Sequence, residues 1–419
     1  MDQEKNHWPK WPQYTSTTEA RVRDVFESGR WAISGNWTGS TPKEQEFAQK
    51  FAAWNGVPFC VPVDHGSSSL LIALEALDIG AGDEVIVPAL TWVATATAVL
   101  NVNAAPVFVD IERDSCCISP EAIEKAITAQ TRAILVVHLH CTMADMDRIL
   151  KIAEAHNLHV IEDCAQAHGA IWSGSRAGSL GIVGCFSTQQ GKVLTSGEGG
   201  AVITSDERLY RRMQQLRADA REYCAGTPAI GTMQLTETAE VMGSNHCLSE
   251  FHAAILLDQM ERLDEQNLIR EENAAWLDQH LAELGGITPI RRSPKMERRS
   301  IYKYAVRVSP AAFGDASTAA LCSALSSGLA CTVYRSEVPL PRNPLYCPWT
   351  KRRFALLNHP HTRPEVRDAW FPEAEAAHRE LVLFHHSILL GTKQQMEEIV
   401  GAFRLAQHSF SSLITATRT

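Results

Sequence analysis

Between about residues 55 and 205, short apolar runs alternate with stretches of helical spacing. Ser68 to Leu77 puts Leu70, Leu71, Leu74 and Leu77 on one side of a helix. Glu84 to Val87 reads as a strand entering Pro88, and Thr95 to Asn101 returns as a helix. A strand from Pro106 to Asp110 precedes a helix from Pro120 to Ala129. Next come a strand from Ala133 to His138, a helix from Met143 to His156 and a strand from Leu158 to Glu162. Short buried strands alternating with helices predict a mostly parallel sheet covered on both faces, with right-handed crossovers.

The rhythm changes after about residue 205. Glu207 to Ala220 is helical, and Glu222 to Gly243 reads as an irregular exposed loop containing Gly226, Pro228 and Gly231. Leu248 to Leu284 is a long helical region, with Leu256, Met260 and Leu263 spaced for one apolar face. Ser300 to Val308 looks like a strand, and shorter helices and strands follow it. This division predicts an α/β protein of two parts. A large, mostly parallel sheet domain occupies residues 1–260, and a smaller α/β domain residues 261–419.

Composition narrows the partners. A net charge of −9 argues against nucleic acid, which needs clustered Lys and Arg. The chain lacks an apolar run of about 18 residues, so no membrane helix is expected. The segment from Met1 to Gln13 is polar and does not read as a secretory leader. The 11 cysteines are irregularly spaced without C-x-x-C, and Cys116 and Cys117 are simply adjacent. They read as reduced thiols of a cytoplasmic protein.

The segment from Gly184 to Gly200 contains Lys192 among small residues, followed by Gly197, Gly199 and Gly200. Such a lysine can approach a flat cofactor, and desolvation can lower its pKa far enough for Schiff-base chemistry. From these residues alone, a surface lysine beside a Gly-rich turn outweighs that reading. The run Phe186-Ser187, Lys192, Thr195, Gly197-Glu198-Gly199-Gly200 resembles the lysine motif of the DegT/DnrJ/EryC1/StrS aminotransferases. That resemblance implies fold type I, the aspartate-aminotransferase-like fold, with pyridoxal 5'-phosphate as cofactor. It makes Lys192 the Schiff-base lysine and Ser187 a contact of the cofactor phosphate. Some members dehydrate instead and have histidine at this position; lysine here favours transamination.

Asp163 follows a predicted strand, where ligands bind in open α/β sheets. A buried aspartate can keep a pyridine nitrogen protonated, and Glu162 should point to the opposite face. The resemblance adds Gln166 near the cofactor's 3-hydroxyl; His168 stays open between core and site. Gly66-Ser67-Ser68 opens a helix, whose free N–H groups suit a phosphate. His65 departs from the family pattern, so either serine is a candidate for the phosphate contact. Trp92 matches the position that stacks on the pyridine ring. Asn245, in Gly243-Ser244-Asn245, resembles a residue that reaches the phosphate of the neighbouring subunit, which implies a homodimer with shared sites.

Trp8 to Gln13, Arg30 to Gly39, Gln189-Gln190 and Asn343 to Trp349 resemble a narrower branch. It contains the glutamine-dependent aminotransferases of scyllo-inosose and 2-deoxy-scyllo-inosose in aminoglycoside biosynthesis. The implied reaction is ping-pong, from L-glutamine to a cyclic polyhydroxy ketone, with Lys192 as base and acid. Asp64-His65 and His140-Cys141 depart from the branch, which leaves the ketone open. An aminotransferase for a nucleotide-linked keto-sugar and an aminobenzoate-type synthase are the rival enzymes. A regulatory protein without turnover is a third rival, against which Lys192 and Asp163 argue. His138 and His140 have poor ligand spacing, so no metal is expected.

Overall fold

A computed structural model describes residues 7–417; the first six residues of the polar N-terminal segment lie outside the described residues. The large sheet has seven strands. They are β1 Phe59–Val63, β2 Glu84–Pro88, β3 Ala105–Val109, β4 Thr131–Val137, β5 His159–Asp163, β6 Val183–Ser187 and β7 Gly200–Thr204. Their order is β1-β7-β6-β5-β4-β2-β3. β7 runs antiparallel to both neighbours, and the remaining pairs are parallel. Val85, Ile86 and Val87, and Ile134, Leu135 and Val136, are fully buried, as strands covered on both faces require.

The covering helices are α1 Ser16–Ser28, α2 Lys43–Asn55, α3 Gly66–Ala76, α4 Ala94–Asn101, α5 Pro120–Ala126, α6 Met146–His156 and α7 Glu207–Arg217. Side-chain caps set several starts: Ser119 accepts from Ala122 N, Asp145 from Arg148 N and Asp206 from Leu209 N. The Asp145 cap starts α6 three residues later than the apolar pattern suggested, and α5 stops at Ala126 because Ile127 turns extended. The expected loop from Glu222 to Gly243 contains a short hairpin, pairing Arg221–Tyr223 with Leu235–Glu237. Tyr223 anchors that hairpin by donating its hydroxyl to Glu44, which is itself buried against Arg217.

Helix α8, Glu250–Ala282, carries the chain from the large sheet to the small one. Ser249 caps it, and Leu256, Leu263, Leu277 and Leu281 are buried along it, each contributing roughly 1.5–3 kcal/mol of apolar transfer. The small sheet is antiparallel: β8 Ile287–Pro289, β9 Lys303–Val308, β10 Val333–Arg335 and β11 Leu381–His385, ordered β8-β9-β11-β10. Helix α9, Thr318–Leu329, and the C-terminal helix Lys393–Thr417 pack together beside it. No helix among the described residues is long and apolar enough to cross a membrane.

Candidate active site

A cavity of about 360 Å³ opens at the C-terminal ends of β5 and β6 and the start of α3. Ser67, Trp92, Asp163, Gln166, Ser187 and Lys192 line it together. The local backbone explains why these residues meet there. Gly66 begins α3 so close to β6 that an added Cβ would stand 2.5 Å from Ser187 Cβ. Glycine at this point lets the helix N-terminus and the Ser187 hydroxyl share one corner. In the loop from β6 to β7, Thr188 N donates to Gly199 O at 2.8 Å and Gln190 N to Gly197 O at 2.7 Å. A Cβ on Gly199, at φ +139°, would meet Thr188 Oγ1 at 2.4 Å. The loop therefore closes tightly over the stretch that bears Lys192.

Burial pushes the Lys192 amine down to about 8. Asp163 opposes that shift, Lys303 adds to it, and Glu337 works against it. The Lys192 amine can thus shed its proton near neutral pH. Asp163 ends β5 and accepts from Ala165 N and Thr95 Oγ1, both at 3.1 Å. Burial pushes its carboxyl up from the ordinary range, while the Ala165 N–H, Lys192 and Thr95 pull it back. A cation placed against it would restore its charge. Glu162 faces away, as the strand alternation required. It accepts from His138 Nε2 at 2.9 Å and from the backbone N–H groups of Gly178, Leu180 and Gly181. Cys164 lies in the same buried group. Both Glu162 oxygens are already committed to protein donors, so the cluster is a structural knot.

Gln166 is fixed by its Oε1, which accepts from His140 N at 2.8 Å. Trp92 forms a wall and is 56% exposed in the single chain. His168 is fully buried against Phe186, and burial together with the Lys192 charge holds it neutral, at about 3. Two sequence candidates fall outside the cavity of their own chain. Ser68 is buried beside Asp64; burial raises that carboxyl, but bonds from His246 and Ser68 hold it below its ordinary value. Asn245 is exposed, and its Oδ1 accepts from Cys247 N at 3.3 Å.

Among the lining residues with no role assigned from sequence are Tyr302, Gln189, His65 and Glu198. His65 sits at the rim, 3.4 Å from Asp64 and 3.7 Å from Glu198. Its departure from the family pattern was the one signal pointing to it. Tyr302 stands just before β9 of the small sheet and carries no sequence motif.

The arrangement fits a flat anionic aldehyde cofactor. Hydroxyls and a helix N-terminus face one end, a buried carboxylate and an indole stand on the walls, and an amine of lowered pKa is at hand. Fold and site together define a pyridoxal-phosphate-dependent aminotransferase of fold type I. The chain belongs to the DegT/DnrJ/EryC1/StrS aminotransferase family, whose pattern matches residues 17–404. It is 48% identical over 396 residues to the L-glutamine:2-deoxy-scyllo-inosose aminotransferase of Streptomyces fradiae, covering 94% of this chain and 93% of that protein. It is 45% identical over 397 residues to the L-glutamine:scyllo-inosose aminotransferase of Streptomyces griseus, covering 95% and 93%. Among solved structures, 3-amino-5-hydroxybenzoic acid synthase superposes with a TM-score of 0.82 at 28% identity, over 96% of this chain and 99% of that one. DesV from S. venezuelae, solved with a ketimine intermediate, gives 0.78 at 31% identity, over 94% of each chain.

Proposed function

We propose that this enzyme transfers the amino group of L-glutamine to a cyclic polyhydroxy ketone of the scyllo-inosose or 2-deoxy-scyllo-inosose type, in aminocyclitol antibiotic biosynthesis. The observation that carries the reading is Lys192, with its amine lowered to about 8, and Asp163 on the walls of one cavity. The glutamine-specific relatives, 45–48% identical at the two cited above, support the donor and the ketone class.

When bound, pyridoxal phosphate supplies an electron sink for the carbon that loses and regains a proton. The protein's part is distributed as follows. Lys192 would hold the cofactor between turnovers and would then move the proton as base and acid. Asp163 would keep the ring nitrogen protonated. Trp92 would cover the ring, Gln166 would serve the 3-hydroxyl, and Ser67, Ser187 and the start of α3 would hold the phosphate. Ser68 supports that corner through Asp64. We assign Asn245 to the site of a second copy, which makes the working unit a homodimer with shared active sites. Its exposure in the single chain, and that of Trp92, accord with this reading. All 11 cysteines are free thiols, in keeping with a reducing cytoplasm. Residues 1–260 then form the cofactor-binding domain and 261–419 the small domain.

A screen of ring ketones with L-glutamine, read by mass spectrometry, tests the reading. An aminocyclitol product supports it. Amination of a nucleotide-linked keto-sugar alone, or loss of water to an aminobenzoate, would replace it with a rival. Lys192→Ala should abolish both the visible cofactor band and turnover; turnover retained without Lys192 refutes the assignment.

A further inference from the structure

The loop before Lys192 is held by aromatic N–H groups from distant parts of the chain. Trp11, in the N-terminal arm, donates its indole N–H to the carbonyl of Gln190 at 3.0 Å. His385 and His386, at the end of β11, place their Nε2 atoms 3.2 and 3.1 Å from the carbonyl of Gly191. A carbonyl only accepts, so both imidazoles carry a hydrogen on Nε2. His385 confirms that tautomer from its other nitrogen, where Nδ1 lies 3.3 Å from the backbone N–H of Ser387. Gly191 N in turn donates to the Gln189 side chain at 2.9 Å, and Lys192 N to Gln189 O at 2.8 Å. Each peptide group leading into the lysine is therefore fixed.

The donors also brace one another. The Trp11 ring meets His386 edge-on at 4.6 Å. It also lies 5.3 Å from the guanidinium of Arg270. Arg270 is fully buried, and among the described residues no carboxylate pairs with it; its partners are the neutral side chains of Asn267 and Gln266. An unbalanced buried cation under an indole face favours keeping the indole seated. Burial, with the charge of Arg270 added, keeps His386 neutral.

We propose that Trp11, His385 and His386 are positioning residues for Lys192. The N-terminal arm and the small domain clamp the two carbonyls ahead of the lysine and so fix where its amine stands. The inference rests on Lys192 being the lysine that binds the cofactor. It gives Trp11, in the segment from Trp8 to Gln13, a positioning role for the reaction.

The test uses the full-length holoenzyme with Trp11→Phe, which keeps the ring and loses the N–H, and with His386→Phe and His386→Gln. Expected in both Phe variants is a fall in kcat of about ten- to a hundredfold, the scale of a small misplacement of a reacting group. The KM for glutamine should change by less than about threefold, the sign that ground-state binding is spared. The pH midpoint of the visible cofactor band should move, while the Tm stays near the parent's. His386→Gln, which can return an N–H to Gly191, should recover most of the kcat. Parental kcat and pH midpoint in both Phe variants overturn the clamp. So does a His386→Gln variant no better than His386→Phe, since that marks loss of packing alone. If the parent shows no band that Lys192→Ala removes, the reading of Lys192 falls and the clamp with it.

Discussion

The Lys192 ammonium stands 4.2 Å from the centre of the Tyr302 ring. A π face favours the charged amine, while burial favours the neutral one. Tyr302 therefore restrains the fall that burial imposes on Lys192. Tyr302→Leu should lower the pH at which the apoprotein amine becomes reactive by about half a unit, from ~0.5–1 kcal/mol of lost attraction. The rate of covalent labelling at Lys192 against pH measures this. A midpoint unchanged from the parent's, near 8, would show that the ring does not interact with the amine.

Asp163 is buried and coupled to Lys192. Asp163→Asn removes the carboxylate that would hold the ring-nitrogen proton. Turnover should fall by about a hundredfold or more, the scale seen when one preorganised charge is lost. The pKa of Lys192 should fall as well, because Asp163 raises it. Full turnover in Asp163→Asn would place the nitrogen's partner elsewhere.

Glu250 links folding to pH. Pro42 leaves the start of α2 without a side-chain cap, and Glu250 serves instead, accepting from Lys43 N at 2.6 Å and Glu44 N at 3.3 Å. Burial, reinforced by Glu44 and opposed by Arg30, pushes its carboxyl up to about 7. A folded pKa above the unfolded value means that the contribution is complete below about 4.5 and is lost as pH rises through about 7. Glu250→Gln should gain roughly 2–3 kcal/mol relative to the parent between pH 5 and 8. Urea unfolding at both pH values checks it, and a difference that stays constant with pH argues against it.

The proposed sharing of sites makes a distinctive prediction. Co-expressing Lys192→Ala and Asn245→Ala chains should recover about a quarter of parental activity, since random pairing leaves half the dimers mixed, each with one intact site. Each variant alone should be impaired. No recovery on mixing would mean that Asn245 serves its own chain, and full activity of the Asn245→Ala chain alone would mean that it serves no site.

The parallel part of the large sheet was legible because β2 to β5 are apolar runs bounded by helices. β6 was not assigned from sequence. It contains Gly184, where a Cβ would meet Gly178 O at 2.3 Å, so local crowding and not strand propensity chose that residue. Lys192, Asp163, Gln166 and Trp92 were legible because they belong to short motifs. Ser67 and Ser68 could not be separated, since which hydroxyl faces the cavity depends on the turn at His65. Tyr302 and the clamp of Trp11, His385 and His386 reach the lysine only through tertiary packing. Asn245 lies outside the cavity of its own chain, so its proposed role depends on a second copy.

Helix α8 has a mechanical consequence. The chain passes from the large sheet to the small one once, through this uninterrupted 33-residue helix. Such a rod is about 50 Å long and resists bending. Glu250 at its start caps α2, while Asn273 farther along holds the carbonyls of Leu389 and Gly391 beside the His386 turn. The two lobes are geared together, not hung on a flexible linker. A tilt of the small lobe large enough to move Tyr302 would be felt at the opposite end of the molecule as leverage on α2.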